Sequence, residues 1–218
     1  MISLLYVSKS LEDVKAVDGI TLDIADENHV AILGPSGSGK TTLLRLIAGL
    51  EMPDSGEIYI DGMLASTAKW TLEPHRRKLG FVFQTPALWP HMTVAQNILF
   101  GLHDMGKEEA KGRLHRMLDL VSLEGLEHRY PHQLSGGEAR RASLARTLAP
   151  GPRYLLMDEP LINLDVELKE RLLSILKEAV RTTKACLVYV THDLSEAEQV
   201  ADKIVTIRNG RIQEENKN

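Results

Sequence analysis

Four short apolar runs punctuate the chain, and each ends abruptly in polar residues. They are His29 to Leu33 before Gly34, Gly80 to Phe83 before Gln84, Tyr154 to Met157 before Asp158, and Ala185 to Val190 before Thr191-His192. Runs of this length without alternation predict strands buried on both faces. In open α/β sheets ligands bind beyond the carboxyl ends of the strands, so four such endings point to one shared site. Between the runs the hydrophobic period changes to 3.6. Thr42 to Ala48 reads as a helix closed by Gly49. Leu164, Leu168, Leu172, Ile175, Leu176 and Ala179 keep one helical face, with Asp165 near its start. From about Thr93 to Ala149 the pattern is helical throughout, with Leu114, Met117, Leu118 and Val121 forming a stripe. Thr93 with Gln96 and Ser135 with Glu138 have capping-box spacing, so this stretch reads as an inserted helical lobe. The first sixty residues alternate in the manner of strands (Gly19 to Ile24, Glu57 to Ile60), and Lys203 to Ile207 is expected to return through Asn209-Gly210 as a hairpin.

Composition narrows the picture without changing it. The length of 218 residues fits one domain carrying an inserted lobe. An ordinary apolar fraction of 43% argues for a packed core rather than disorder. No apolar run approaches the 18 or so residues that span a bilayer, and Met1 to Ser10 lacks the pattern of a signal peptide. Any membrane role is therefore expected to come through a partner. The single cysteine, Cys186, suits a reducing cytosol. A net charge of −4 argues against general nucleic-acid binding, so no nucleic-acid partner is expected.

Three segments carry chemistry. Gly34-Pro35-Ser36-Gly37-Ser38-Gly39-Lys40-Thr41 matches G-x-x-x-x-G-K-[ST] between an apolar strand and a helix that continues with Thr42. Glycines let backbone N–H groups turn toward phosphate oxygens, and the helix N-terminus adds a favourable dipole. Lys40 would reach the β- and γ-phosphates, and the Thr41 hydroxyl would ligate Mg²⁺. Tyr154 to Glu159 is an apolar strand delivering two adjacent carboxylates to a sheet edge. Alternation sends neighbouring side chains to opposite sides, allowing Asp158 to serve Mg²⁺ and Glu159 to polarise a water. A solvated strand end would show the same two charges; the phosphate loop nearby favours the chemical reading. In Leu134-Ser135-Gly136-Gly137-Glu138, Ser135 and Glu138 could simply cap a helix. Two glycines in the first turn cost about 1 kcal/mol each, however, and a plain cap needs neither. The exposed N–H groups at this helix start offer a second anion site.

The order of phosphate loop, Phe81-Val82-Phe83-Gln84, Leu-Ser-Gly-Gly-Glu, Asp158-Glu159-Pro160, Asn163-Leu164-Asp165 and Val190-Thr191-His192-Asp193 resembles the ABC transporter ATPases over nearly the whole chain. The resemblance implies an α/β fold: a P-loop NTPase (RecA-like) core, an N-terminal antiparallel β subdomain and an inserted α-helical subdomain. It implies one ABC ATPase domain over 1–218, with 1–88 and 150–218 as core and β subdomain and 89–149 as the helical signature subdomain. Two such domains would pack head to tail, each ATP lying between one chain's phosphate loop and the other's signature. By the same resemblance Thr41, Gln84 and Asp158 serve Mg²⁺, Glu159 is the general base, and His192 contacts the γ-phosphate region. Asp165 would lie in the dimer-contact loop, and Leu134 to Glu138 would act in trans.

Three positions depart from the family pattern. Glu138 stands where glutamine is common, and its carboxylate is expected to turn back into the cap. Ile162 precedes Asn163 where a small residue is usual. The adenine-stacking aromatic is replaced by Leu11, while Tyr6 belongs to the preceding strand pattern. Phe83 to Val94, with Leu88, Trp89 and Pro90, resembles the importer branch, in which this loop meets a transmembrane subunit; packing within the helical lobe is the competing reading. The importer resemblance implies a homodimer or paired ABC subunit, permease subunits in the membrane, and an extracytoplasmic solute-binding protein. The chain would then sit on the cytoplasmic, inner face of the cell membrane through the permease. Several importer groups append a C-terminal domain; it is expected to be absent or to lie beyond Asn218. A soluble ABC ATPase of macromolecular assembly or repair is the alternative, although no long heptad run supports the repair form.

Overall fold

The computed structural model describes residues 1–26 and 28–217; Glu27 and Asn218 lie outside the described residues. The chain runs β1 (Ile2–Leu11), β2 (Val14–Ile24), β3 (Val30–Leu33), α1 (Lys40–Ala48), β4 (Ser55–Ile60), β5 (Met63–Thr67), β6 (Trp70–Thr71) and β7 (Leu79–Val82). It continues with α2 (Val94–Leu99), α3 (Lys107–Leu120), α4 (Gly136–Leu148), β8 (Tyr154–Asp158), α5 (Val166–Thr183), β9 (Cys186–Thr191), α6 (Leu194–Val200), β10 (Lys203–Arg208) and β11 (Arg211–Lys217). Contacts divide it into two compact units, Met1–Leu79 with Leu156–Glu159 and Cys186–Asn218, and Gly80–Leu155 with Pro160–Ala185.

The first unit holds an antiparallel sheet in the order β2-β1-β4-β5-β6. Its alternation is the reason it forms: Ile2, Leu4 and Val7, Ile20, Leu22 and Ile24, and Ile58 and Ile60 are all buried. β1 and β2 meet at a two-residue turn that pairs Leu11 with Val14. The other sheet is ordered β11-β10-β3-β9-β8-β7, and the boundary between the units falls within β8. β3 pairs in parallel with β10 and β9, placing Leu33 beside both Thr206 and Thr191. β3, β8 and β9 are buried almost throughout, as their unbroken apolar runs predict. Asn209 and Gly210, at φ 48° and 74°, close the β10–β11 hairpin as expected of a type I′ turn.

The second unit contains α2 to α5. No strand interrupts the stretch from Thr93 to Ala149. Both anticipated capping boxes are made, Thr93 with Gln96 and Ser135 with Glu138. Leu114, Met117, Leu118 and Val121 form the buried stripe of α3 and its end. Asn97, on α2 and fully buried, organises the turn before it. Its carboxamide oxygen accepts from the Trp89 N–H at 2.8 Å, and its nitrogen donates to the carbonyls of Trp89, Met92 and Thr93 at 3.0 to 3.2 Å. The Trp89 and Phe100 rings lie 5.7 Å apart, both partly exposed. Replacing Asn97 by alanine leaves these backbone groups to find new partners. The expected cost is about 2 to 3 kcal/mol of unfolding free energy in a denaturant melt. In a Trp70→Phe background the Trp89 emission should shift to the red. An unchanged midpoint and spectrum would show that the turn holds itself.

Candidate active site

The phosphate loop begins where β3 ends. Gly39 adopts φ 104°, and a Cβ there would lie 1.9 Å from the Ala16 carbonyl oxygen, so only glycine can precede Lys40. Ser38 N–H donates to the Pro35 carbonyl, and Gly210 N–H donates to the Ser38 carbonyl. The loop is thus closed on itself and fastened to the β10–β11 turn. The Ser38 hydroxyl is buried without a hydrogen-bond partner, a feature that calls for an acceptor or donor supplied by a ligand.

Lys40 is 3% exposed, and burying an ammonium demands compensation. Its Nζ donates to the carbonyls of Gly34 and Pro35 at 2.8 and 2.9 Å and pairs with Glu159 Oε1 at 3.3 Å. The other oxygen of Glu159 lies 3.2 Å from His192 Nδ1. Glu159 sits at φ 42°, a strained conformation for a residue with a side chain, and its N–H donates to the Val190 carbonyl at 3.0 Å. That turn aims the carboxylate between lysine and histidine. One residue earlier, Asp158 Oδ1 accepts from the Thr41 hydroxyl at 2.9 Å. Burial raises the Asp158 carboxyl above its ordinary range, and the Thr41 hydrogen bond opposes this in part. A carboxylate so placed gains from a nearby cation. Asp158 and Thr41 present hard oxygens of the type that bind Mg²⁺ through one or two protein ligands plus phosphates. Among the described residues no cluster of three or more His, Cys, Asp or Glu could hold a metal unaided.

Lys40, Thr41, Asp158, Glu159 and His192 therefore come together in one unit. Leu11 belongs to the same unit, half-exposed at the β1–β2 turn beside the more exposed Val14. Two residues on, the Ala16 carbonyl meets Gly39. Tyr6 stands at a bulge in β1, five residues or about 16 Å of strand from Leu11, so one ring could not use both.

The remaining motif residues lie in the second unit. Gln84 is exposed just past β7. Ser135 caps α4, its hydroxyl accepting from Glu138 N–H, while Glu138 Oε2 accepts from Ser135 N–H at 2.7 Å. Glu138 thus turns back into the cap, and those bonds with Ser135 hold its carboxyl below the usual range. Gly136 is exposed and Gly137 packs against Leu168. Asp165 caps α5 by accepting from Leu168 N–H at 2.9 Å. The Ile162 carbonyl accepts from Arg140 at 3.1 Å. Motif reading missed two parts of the first unit. Glu196 is buried and accepts from the Tyr189 and Thr191 hydroxyls at 2.9 and 2.8 Å, tying α6 to the strand that ends at His192. Arg77, also buried, makes six hydrogen bonds.

The ABC transporter family model matches residues 17–162. A sulfate/thiosulfate import ATP-binding protein CysA of Gloeobacter violaceus is 47% identical over 210 residues, 95% of this chain and 60% of that protein. The probable counterpart of Chlorella vulgaris is 44% identical over 208 residues, covering 94% of this chain and 86% of that protein. The chain spans about 60% of the length of the first cyanobacterial relatives it matches. Among solved structures, a dimeric ATP-binding cassette bound to ADP and Pi superposes with a TM-score of 0.86 at 33% identity, over 100% of this chain and 98% of that one. The cbiO1 protein of Clostridium perfringens, part of the ABC transporter complex cbiONQ, superposes with a TM-score of 0.89 at 26% identity, over 99% of this chain and 88% of that one. A family model over two thirds of the chain and relatives this similar place it plainly: the chain belongs to the ABC transporter family.

Proposed function

We propose that this chain is the ATP-hydrolysing subunit of an importer, acting as a head-to-tail pair at the cytoplasmic face of a membrane. The observation that carries the reading is the contact of Glu159 with both Lys40 and His192 beside the Thr41–Asp158 pair. Incoming γ-phosphate oxygens would take over the Lys40 ammonium and free the Glu159 carboxylate. Glu159 then accepts a proton from the attacking water as its oxygen bonds to the γ-phosphorus, and the bond to the leaving ADP oxygen breaks. His192, fixed by the strand that Glu196 anchors, steadies the γ-phosphate and Glu159. Thr41 and Asp158 would hold Mg²⁺, which neutralises charge on the triphosphate. Gly34 to Thr42 supply amides and hydroxyls to the phosphates, the Ser38 hydroxyl among them.

Leu134 to Glu138 would meet the γ-phosphate of a second chain, with Asp165 at the contact between the two. Permease subunits would receive the surface around Leu88, Trp89 and Pro90; no helix of the described residues is long and apolar enough to cross a membrane. The relatives' names favour an oxyanion of the sulfate or thiosulfate type as cargo, delivered to the permease by an extracytoplasmic binding protein. Purifying the chain with its permease from native membranes and assaying ATP-driven uptake in vesicles tests the importer assignment; co-purification with a soluble assembly instead would refute it.

Glu159→Gln should keep ATP binding and slow hydrolysis by about 10²- to 10⁴-fold, with an ATP-bound dimer accumulating on size exclusion. Turnover within a few-fold of wild type would remove Glu159 from the role of base. Because each chain carries one phosphate loop and one signature, specific activity should rise with protein concentration. Lys40→Ala and Ser135→Arg chains, inactive apart, should regain activity when mixed, through one intact composite site. A rate independent of concentration in a proven monomer would contradict the paired mechanism. At the base, Leu11 offers apolar contact without stacking, and stacking on an aromatic is worth about 1 to 3 kcal/mol per base. Leu11→Tyr should tighten ATP binding several-fold, and wild type should discriminate weakly between ATP and GTP. Should Tyr6→Ala weaken ATP tenfold while Leu11→Tyr changes nothing, the base lies elsewhere.

A further inference from the structure

Arg77 is 3% exposed, and no carboxylate among the described residues pairs with it. A buried cation is normally paired, and this one is satisfied by neutral acceptors alone. Burial pushes its guanidinium down to about 10. The acceptors come from two places. Nη1 donates to the carbonyls of Leu46 and Ile47 at 3.2 and 2.8 Å, the last turn of α1. Nη2 donates to the Ala65 carbonyl and the Ser66 and Thr71 hydroxyls at 2.6 to 2.9 Å, and Nε donates to the Leu72 carbonyl at 2.9 Å, all on or beside β5 and β6. The planar fork of five donors is what lets one side chain bridge both groups. Even the end of α1 is shaped around it: a Cβ on Gly49 would lie 2.3 Å from Nε.

These two places matter because of what lies at their far ends. The clamp grips Leu46 and Ile47, so the first residues of α1, Lys40 and Thr41, sit about 8 to 10 Å up the helix from it. β5 and β6 belong to the same sheet as β1 and β2, whose turn carries Leu11 and Val14. The helix holds the phosphate-binding groups and the sheet holds the apolar turn. We propose that Arg77 is a positioning residue for the nucleotide, setting the base-contacting turn of the antiparallel sheet at a fixed distance from the phosphate-binding start of α1. The proposal rests on the reading of Leu11 as a base contact. Arg77 touches neither the nucleotide nor the reacting atoms; it acts through α1 and the sheet.

A role in spacing predicts an effect on one ligand and not on another. Tripolyphosphate uses only the phosphate loop, whereas adenylyl imidodiphosphate must satisfy the loop and the turn together. Calorimetry with Mg²⁺ should show wild type preferring the adenine compound. Arg77→Met should lose about fivefold of that preference, the equivalent of one net hydrogen bond, while tripolyphosphate affinity holds. Arg77→Lys keeps the charge without the fork and should lose the preference as well. A general loss of folded protein or of positive potential would instead weaken both ligands in parallel, and lysine would restore the latter. Ser66→Ala/Thr71→Val removes two acceptors and leaves the arginine in place, so the same ratio can be read if Arg77→Met fails to fold. Equal binding of the two ligands by wild type would refute the base contact and the positioning together. A wild-type preference retained in the variants would refute the positioning alone.

Discussion

A buried ammonium must be solvated by something, and at Lys40 the protein itself does the solvating. Two carbonyls of the phosphate loop and one carboxylate surround Nζ. The loop must therefore curl so that Gly34 and Pro35 point inward, and that curl admits only glycine where the Ala16 carbonyl presses on residue 39. β8 must end one residue short of Glu159, in a left-handed turn that presents the carboxylate to the lysine. The second oxygen of Glu159 then fixes where His192 can stand. Each partner is neutral or negative and reachable by phosphate.

The strands make this possible by being dull. β3, β8 and β9 are apolar on both faces along most of their length, so their polar chemistry, the Tyr189 hydroxyl excepted, is postponed to their ends. Parallel pairing sets Leu33 beside Thr191, so the residues that follow them emerge along one edge. The strain at Glu159 is tolerated there because the Val190 carbonyl holds its N–H.

Much of this was readable in the chain because the relevant signals are local. Apolar runs gave the buried strands to within a residue, and side-chain spacing gave the caps at Thr93 and Ser135. The Glu138 carboxylate turns back into its own helix cap for the reason its spacing suggests. What escaped was long-range or disguised. β5 and β6 are short and present Met63, Leu64 and Trp70 to solvent, so no period marks them. Arg77 sits within Arg76-Arg77-Lys78, which reads as a solvated charge run, yet only the middle residue turns inward. Glu196 looks like any polar position of a surface helix until the Tyr189 and Thr191 hydroxyls, on a neighbouring strand, are seen to need an acceptor. Gln84, the Ser-Gly-Gly segment and Asp165 carry motif signals, and the structure places them in the second unit.

The fastening of the phosphate loop to the β10–β11 turn bears on how the protein is made. Ser38 is held by Gly210, Gly210 by Asp18, Asp18 by Arg211, and His29 by Asp202. A ribosome releases the loop's own residues early, yet these closing bonds span 172 to 193 positions and cannot form until β10 and β11 have emerged. Until then the nascent chain carries its phosphate-binding sequence without these fastenings. Nucleotide binding that uses this loop shape therefore waits for the β10–β11 turn.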